Sequence, residues 1–273
     1  MNELRDTVRQ TVVLVSAIIA VVGAFIGSGA AGGTPIQDAA GGALAADATP
    51  IAPGGPAFAI WTPIYIGLLA YAVWQSLPRQ RDDERQRRLG YPIAASLILN
   101  AAWILSIQFG FLVASVPIIA ALLAVLVVAF TITLGSRPKN LIETIVADGT
   151  VGLYLGWVCV ATAANVTALL VASGFRGFGL APDAWAVAIV AVAGCVGVML
   201  AIIGRGRLTP AISLSWGLAW LAVARLTGDL LSTPAAITAI AAVVAVIAIT
   251  VILRIRSTLI RGTSDTGPKV VAA

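Results

Sequence analysis

The chain contains no histidine, and that absence excludes several kinds of chemistry. Histidine-ligated haem, histidine-based metal sites and nucleophiles activated by histidine all need an imidazole that this sequence does not supply. Charged residues are also scarce, at 11% of 273 residues. The only two cysteines, Cys159 and Cys195, lie inside apolar runs, so we expect small buried hydrophobic side chains and neither a disulfide nor a metal site.

Apolar residues dominate what is present, at 59% of the chain, and the mean hydropathy is +0.99. A water-soluble fold could not bury so much apolar surface, so the composition predicts an all-α integral membrane protein with the lipid bilayer as its solvent. The net charge of +5 does not indicate nucleic-acid binding, because the basic residues cluster in short loops between apolar runs.

Eight apolar runs are each long enough to cross about 30 Å of hydrocarbon as a helix, which predicts an eight-helix bundle. The predicted spans lie near residues 9–28, 57–77, 92–114, 117–135, 149–172, 184–203, 209–228 and 235–253. Between the third and fourth spans we predict a tight turn around Ser115 and Pro117, since proline begins helices well. Residues 258–273 are expected to form a disordered tail.

The distribution of basic residues predicts the orientation of these spans. Of the 17 lysines and arginines, all but Arg176 and Arg225 fall on one side of an eight-span topology. This bias predicts a multi-pass protein of the plasma (inner) membrane with both termini in the cytoplasm. The first run could instead be a cleaved signal, but its apolar stretch is longer than a signal core, which favours a retained helix.

Two loops stand out in this topology. Residues 29–56 form a long outer loop rich in Ala, Gly and Pro, which is either a flexible connector or a lid, and composition alone favours the connector. Residues 78–91 carry a dense run of charges, and we interpret them as a solvated cytoplasmic loop, although contact with anionic lipid headgroups would also fit.

Polar and aromatic residues at helical spacing mark candidate pocket walls inside the third and fifth spans. Asn100 and Trp103 share a face of the third span. The fifth span carries a longer stripe, made of Tyr154, Trp157, Ala161, Thr162 and Asn165. The two asparagines have two interpretations of equal weight, since a buried amide either joins helices by hydrogen bonds or contacts a ligand. Trp74 and Trp185 lie at span ends, as interfacial tryptophans do.

The second span opens with an aromatic and proline element, Trp61, Pro63 and Tyr65. A proline-induced kink with two interfacial aromatics explains it nearly as well as a site does. The predicted topology places Trp61 and Asn165 toward the same outer leaflet, where they could close one pocket beneath residues 29–56.

These motifs resemble the translocator proteins, also called tryptophan-rich sensory proteins (TspO/MBR). The fifth-helix pattern of that family matches LYLGWVCVATAAN, residues 153–165, and its third-helix pattern matches Leu99, Asn100 and Trp103. The resemblance covers roughly residues 8–172 and leaves the last three spans outside. It implies a five-helix ligand-binding core over residues 1–175, followed by three additional transmembrane helices over residues 176–257. Leu153 replaces the proline usual in the family, and the long loop lacks the family's tryptophan and tyrosine.

The resemblance implies that the core binds a flat, apolar small ligand such as a porphyrin or haem, or else a sterol-like molecule, for sensing or transport. Any haem would be held without a histidine ligand, and no cofactor is required. The implied site comprises Trp61, Pro63, Tyr65, Asn100, Trp103, Tyr154, Trp157, Thr162 and Asn165. We predict no enzymatic activity, because the spans supply no acid-base pair or activated nucleophile.

Two further features leave alternatives open. Arg225 and Asp229, four residues apart in the seventh span, are either an ion pair that reaches the membrane surface or the working residues of a proton-coupled secondary transporter. A structural membrane subunit without a ligand is a third option. Glycine pairs on the first and fifth spans, Gly23 with Gly27 and Gly152 with Gly156, allow close helix contacts within the chain or in a homodimer.

Overall fold

The computed structural model describes residues 2–264, and these form an all-α membrane protein with no strand in that range. Its eight long helices are α1 Asn2–Gly27, α2 Trp61–Gln75, α3 Glu84–Gln108, α4 Leu112–Gly135, α5 Thr150–Ala172, α6 Pro182–Ile203, α7 Leu208–Thr227 and α8 Thr233–Ser264. The predicted tail therefore begins inside α8, and its residues 265–273 lie outside the described residues.

Every one of these helices except α7 belongs to a segment long and apolar enough to cross a membrane, and the segment of α2 also includes the preceding 3-10 turn, Gly55–Ile60. The helix predicted for residues 209–228 is present as α7, but serines, tryptophans and Arg225 make it less apolar. One face of α7 is buried, including Ser213, Ser215 and Arg225. Neighbouring helices and loops, and not lipid, surround this polar face.

The turn between α3 and α4 lies at residues 109–111, so the prediction of a turn around Ser115 and Pro117 was wrong. Gly110 adopts φ +79° there, a conformation that glycine reaches without a steric penalty. Pro117 instead lies inside α4. At the other end of α4, one helical turn, Leu141–Glu143, and a π-helical turn, Thr144–Gly149, lead into α5.

Both glycine pairs are used for packing within the chain. A methyl group on Gly23 of α1 would lie 2.8 Å from Cβ of Ala101 on α3. On α5, a methyl group on Gly156 would lie 2.2 Å from the carbonyl oxygen of Pro210 on α7. Gly152 meets α7 in the same way, so α7 packs directly on the predicted five-helix core, and α8 packs on both α6 and α7. Because these glycines contact helices of the same chain, they do not support a homodimer, which stays a prediction.

The two cysteines are free thiols, and they differ in burial. Cys159 is half-buried on α5, whereas Cys195 is exposed on α6. The prediction that both are buried was therefore wrong for Cys195. In a membrane protein the outer surface of a helix is as apolar as its interior face, so apolar neighbours in sequence do not imply burial.

We name the two ends of the bundle by what lies there. The lid end carries the long segment between α1 and α2, and the arginine end carries the α2–α3, α4–α5 and α6–α7 connections.

Candidate functional site

Six aromatic rings meet near the lid end of the bundle, and we call them the aromatic cluster: Phe58, Trp61, Tyr65, Trp103, Tyr154 and Trp157. Trp61 lies at its centre, with its ring centroid 5.8 Å from that of Tyr154, 6.1 Å from that of Trp157 and 6.4 Å from that of Trp103. The rings of Trp61 and Trp103 are stacked, and the other two pairs meet edge to face. Helices α2, α3 and α5 therefore present their aromatic residues to one another, since helical spacing fixes the face of each residue.

Two asparagines hold this cluster by hydrogen bonds. The indole Nε1 of Trp103 donates to Oδ1 of Asn165 at 2.8 Å, and Nδ2 of Asn165 donates to Oγ of Ser115 at 2.8 Å. Nδ2 of Asn100 donates to the hydroxyl of Tyr65 at 2.7 Å. The amides thus join α2, α3, α4 and α5, as the helix-joining interpretation predicts.

Some polar atoms in the same region have no partner among the described residues. Nε1 of Trp157 and Oδ1 of Asn100 are buried and make no hydrogen bond, and neither does Oγ1 of Thr49 in the long loop. A buried donor or acceptor without a partner costs roughly 1–3 kcal/mol. A water molecule or a polar group of a ligand would remove that cost.

Residues 43–57 close over the aromatic cluster, and we call them the lid. Thr49, Ile51 and Ala52 are buried in it, so this part of the long loop is a packed cover and not a flexible connector. Between the lid and the cluster lies a cavity of about 30 Å³, lined by Ala43, Leu44, Thr49, Ala52, Pro53, Phe58, Trp103, Trp157, Ala161 and Ala164. That volume admits water and no larger ligand, so the site is closed in this structure.

Helix α7 fastens the lid. Nη1 of Arg225 donates to the carbonyl oxygen of Thr49 at 3.1 Å, and Nη2 donates to that of Ala46. Nε1 of Trp216 donates to the carbonyl oxygen of Ala57 at 2.9 Å. The amide of Gly54 donates to the carbonyl oxygen of Trp220 at 3.2 Å. One helix of the C-terminal three therefore holds the cover of the predicted site.

The predicted pair of Arg225 and Asp229 is not formed. Helix α7 ends at Thr227, so the i to i+4 relation on which the prediction depended does not exist. Arg225 is 1% exposed and bonds to lid carbonyls, whereas Asp229 is exposed beyond the helix. The interpretation as an ion pair was wrong because the helix ends at Thr227, before it reaches Asp229.

Comparison with models of protein families tests the resemblance that the motifs of α2, α3 and α5 indicate. A model of the family described as TSPO-like protein matches residues 13–254. This chain belongs to the TSPO-like protein family. The match confirms the resemblance and also includes α6, α7 and most of α8, which the motifs of α2, α3 and α5 did not reach. Comparisons with curated proteins and with solved structures find no match.

Two of the predicted site residues of this TSPO-like protein lie away from the aromatic cluster. Pro63 is exposed in the first turn of α2, where a missing N–H costs little. The hydroxyl of Thr162 donates to the carbonyl oxygen of Val158 on its own helix at 2.7 Å, and Thr162 lines a separate groove. The sequence analysis missed Phe58 and Ser115 as site residues. It placed residues 29–56 over the pocket, but it did not identify which of them form the cover.

The arginine end of this TSPO-like protein contains a buried ion network that the sequence analysis missed. Nη1 of Arg85 donates to Oε1 of Glu143 at 2.7 Å, and its Nη2 donates to Asp148. Arg207 forms an ion pair with Asp148 at 3.3 Å. Residues 78–91 are therefore not a solvated loop throughout, because α3 begins at Glu84 and buries Arg85 and Gln86.

Asp83 caps α3 at this end and pairs with Lys139 at 2.5 Å. Burial favours the neutral carboxyl, but hydrogen bonds from Lys139 and from the amides of Gln86 and Arg85 outweigh it and lower the pKa of Asp83 below 3.8. The hydrogen bond to Asp83 raises the pKa of Lys139, because it stabilises the charged ammonium group. Burial lowers the pKa of Arg207 against the attraction of Asp148.

Proposed function

We propose that this TSPO-like protein binds a flat, apolar ligand of the tetrapyrrole class, such as a porphyrin, in the aromatic cluster beneath the lid. Membership of the family supports a role in membrane ligand binding, sensing or transport. The observation that carries the proposal is the convergence of three indole rings, those of Trp61, Trp103 and Trp157, directly under the lid, with the buried Nε1 of Trp157 unpartnered. Aromatic faces bind flat apolar rings, and the free N–H can donate to a polar edge of the ligand.

Binding of a macrocycle requires the lid to move, since the closed cavity of about 30 Å³ has no room for one. The lid is held to α7 through backbone oxygens and the indole of Trp216, with no covalent link. These hydrogen bonds join the lid to α7 and do not join one helix to another. Breaking them would therefore open the lid without separating the helices. The ligand would then replace the lid contacts of Trp103 and Trp157.

The transporter alternative has less support, because its two working residues do not pair and Arg225 is engaged by the lid. A structural subunit without a ligand stays an outcome of the test below. The absence of enzymatic activity and the plasma-membrane location with cytoplasmic termini are part of this proposal, and the basic residues concentrated at the arginine end support that orientation.

Titration of the purified protein with protoporphyrin IX, followed by the absorbance of the porphyrin, tests the proposal. We expect saturable binding that weakens about tenfold in Trp157→Phe, as loss of one stacking partner and one donor predicts. Trp74→Phe is the matched control, since Trp74 packs against Tyr71 on the opposite half of α2. Equal affinity of the two variants would overturn the assigned site, and absence of binding in the unmodified protein would favour a structural subunit.

A further inference from the structure

A second and much larger cavity lies on the other side of α5. It is a groove of about 840 Å³ between α5 and α6, which we call the α5–α6 groove. Its α5 wall is formed by Cys159, Thr162, Ala163, Val166, Thr167, Leu170 and Val171, and its α6 wall by Pro182, Trp185, Ala186, Ala188, Ile189, Val192, Ala193 and Val196. The volume falls in the range of small-molecule sites, roughly 300–1,000 Å³.

The shape of the groove follows from helix geometry. Its α5 wall runs from Cys159 to Val171, and a helix rises about 1.5 Å per residue, so the wall is roughly 18 Å long. Half of a hydrocarbon core about 30 Å thick is roughly 15 Å. The α5–α6 groove is therefore elongated along the helices and about as long as one membrane leaflet is thick.

The lining of the groove suits an apolar chain. The lining is mainly alanine and aliphatic residues, with Ala186 and Ala193 buried, together with Phe175 and Trp185 near the end that carries Arg176. Several wall residues are exposed on the outer surface of the bundle, with Val171 at 48% and Val192 at 63%. Both helices carrying them are long and apolar enough to span the membrane. The groove therefore opens sideways to lipid, where acyl chains are the surrounding solvent.

One end of the groove carries a positive charge. Arg176, in the connection between α5 and α6, lines the groove and is exposed. None of the carboxylates in residues 2–264 forms an ion pair with it. The other arginine of this end, Arg225, is buried against the lid. Arg176 thus offers an exposed positive charge at membrane-surface depth, next to an apolar channel.

We propose that the α5–α6 groove is a binding site for an anionic phospholipid, with one acyl chain between α5 and α6 and the headgroup phosphate on Arg176. Length, apolar lining and charge complementarity all support this occupant. A soluble apolar ligand would lack a partner for Arg176, and a zwitterionic lipid would also place a positive group there. No residue of the aromatic cluster lines the groove, although Pro50 and Ile51 of the lid do. The proposal does not depend on porphyrin binding.

Photo-crosslinking of the full chain in nanodiscs tests the proposal. The probe is phosphatidylglycerol with a diazirine near the middle of one acyl chain, present as a trace in phosphatidylcholine. We expect adducts on peptides within residues 159–196, and we expect unlabelled phosphatidylglycerol to compete better than unlabelled phosphatidylcholine. Arg176→Gln should reduce that preference about fivefold, the effect of one basic residue near the surface. Arg205→Gln, in the exposed α6–α7 connection at the arginine end, is the matched control.

Filling the groove tests the acyl-chain position separately. Val192→Phe places a larger side chain on the groove wall, and Val244→Phe makes the same change on α8 at nearly equal exposure, 62% against 63%. Both residues are exposed, so we expect both variants to fold. The proposal predicts fewer adducts on residues 159–196 only in Val192→Phe. Equal labelling of the two variants, or equal competition by the two lipids in the unmodified chain, would show ordinary surrounding lipid only and overturn it.

Discussion

The two ends of the bundle differ in whether their buried charged groups form ion pairs. At the arginine end both carboxylate oxygens of Glu143 are paired, Oε1 with Arg85 and Gln86 and Oε2 with the amide of Lys139 at 2.7 Å. At the lid end, Nε1 of Trp157 and Oγ1 of Thr49 are buried without a partner in the described residues. The arginine end is closed by a network of buried ion pairs, although Nε and Nη1 of Arg9 and Oε1 of Gln75 lack partners there. The lid end has no ion pair among the described residues and is closed by a cover over unpartnered polar atoms.

This difference assigns separate roles to the two ends. Separating a buried ion pair leaves charges without partners and costs several kcal/mol, so the arginine end holds the helices together. Beneath the lid, a ligand or water would gain hydrogen bonds that the closed state lacks. We therefore expect conformational change at the lid end and a fixed arginine end, and the following predictions test that contrast.

The largest effect is expected from Arg85→Met. The change leaves Glu143 and Asp148 without their main cation in a buried site, which predicts a loss of about 3–5 kcal/mol in the free energy of unfolding. Thermal unfolding in detergent measures it. Arg88→Met, at an exposed position of the same helix, should change stability little. Similar melting of the two variants would show that the network does not hold this end.

Arg225→Met should loosen the lid. Hydrogen bonds from a charged group contribute about 1.5–3 kcal/mol, so local opening of residues 43–57 should increase at least about tenfold. Hydrogen exchange of the lid amides measures this opening. Exchange in residues 141–149 at the arginine end should not change. Asp229→Asn is the control. If that variant also increased the opening of the lid, the result would indicate that Asp229 does pair with Arg225, which would contradict the structure.

Gly156→Ala should weaken the seam between α5 and α7 that connects the two ends. Its methyl group would overlap the carbonyl oxygen of Pro210, which predicts a loss of about 1–3 kcal/mol. Gly135→Ala meets open space and serves as the control. Unfolding measurements compare the two variants. If Gly156→Ala changed the oligomeric state but not the stability, the result would indicate that Gly156 lies in a homodimer interface and not in a contact within the chain.

The smallest effect concerns pH at the arginine end. Because the pKa of Asp83 is lower in the folded than in the unfolded protein, its contribution to stability is present above the ordinary value of 3.8 and is lost as pH falls through the folded value. Its partner Lys139 is 67% exposed, so we expect less than about 1 kcal/mol. The difference in unfolding between the unmodified protein and Asp83→Asn, compared from pH 6 to about pH 3, should narrow as the pH falls.

Helical periodicity predicts the convergence of Asn100, Trp103, Trp157 and Asn165, because spacing along a helix fixes the face of each residue. The predicted topology places residues 29–56 over this pocket, but it cannot predict how the lid packs there, since that depends on the path of a loop. The partners of Arg225 are backbone carbonyls, which have no signature in sequence. Arg85 and Glu143 are 58 residues apart, so only the fold reveals their pairing. One signal was available, since Asp83 precedes α3 as a typical N-cap.

Hydrogen exchange of the full chain in nanodiscs, with and without saturating protoporphyrin IX, tests the central claim most directly. Porphyrin binding should alter exchange in residues 43–57 and in α5 near Trp157, and leave residues 83–90 and 141–149 unchanged. Bound porphyrin that leaves the lid unaltered, or that alters the arginine end to the same extent, would contradict the account.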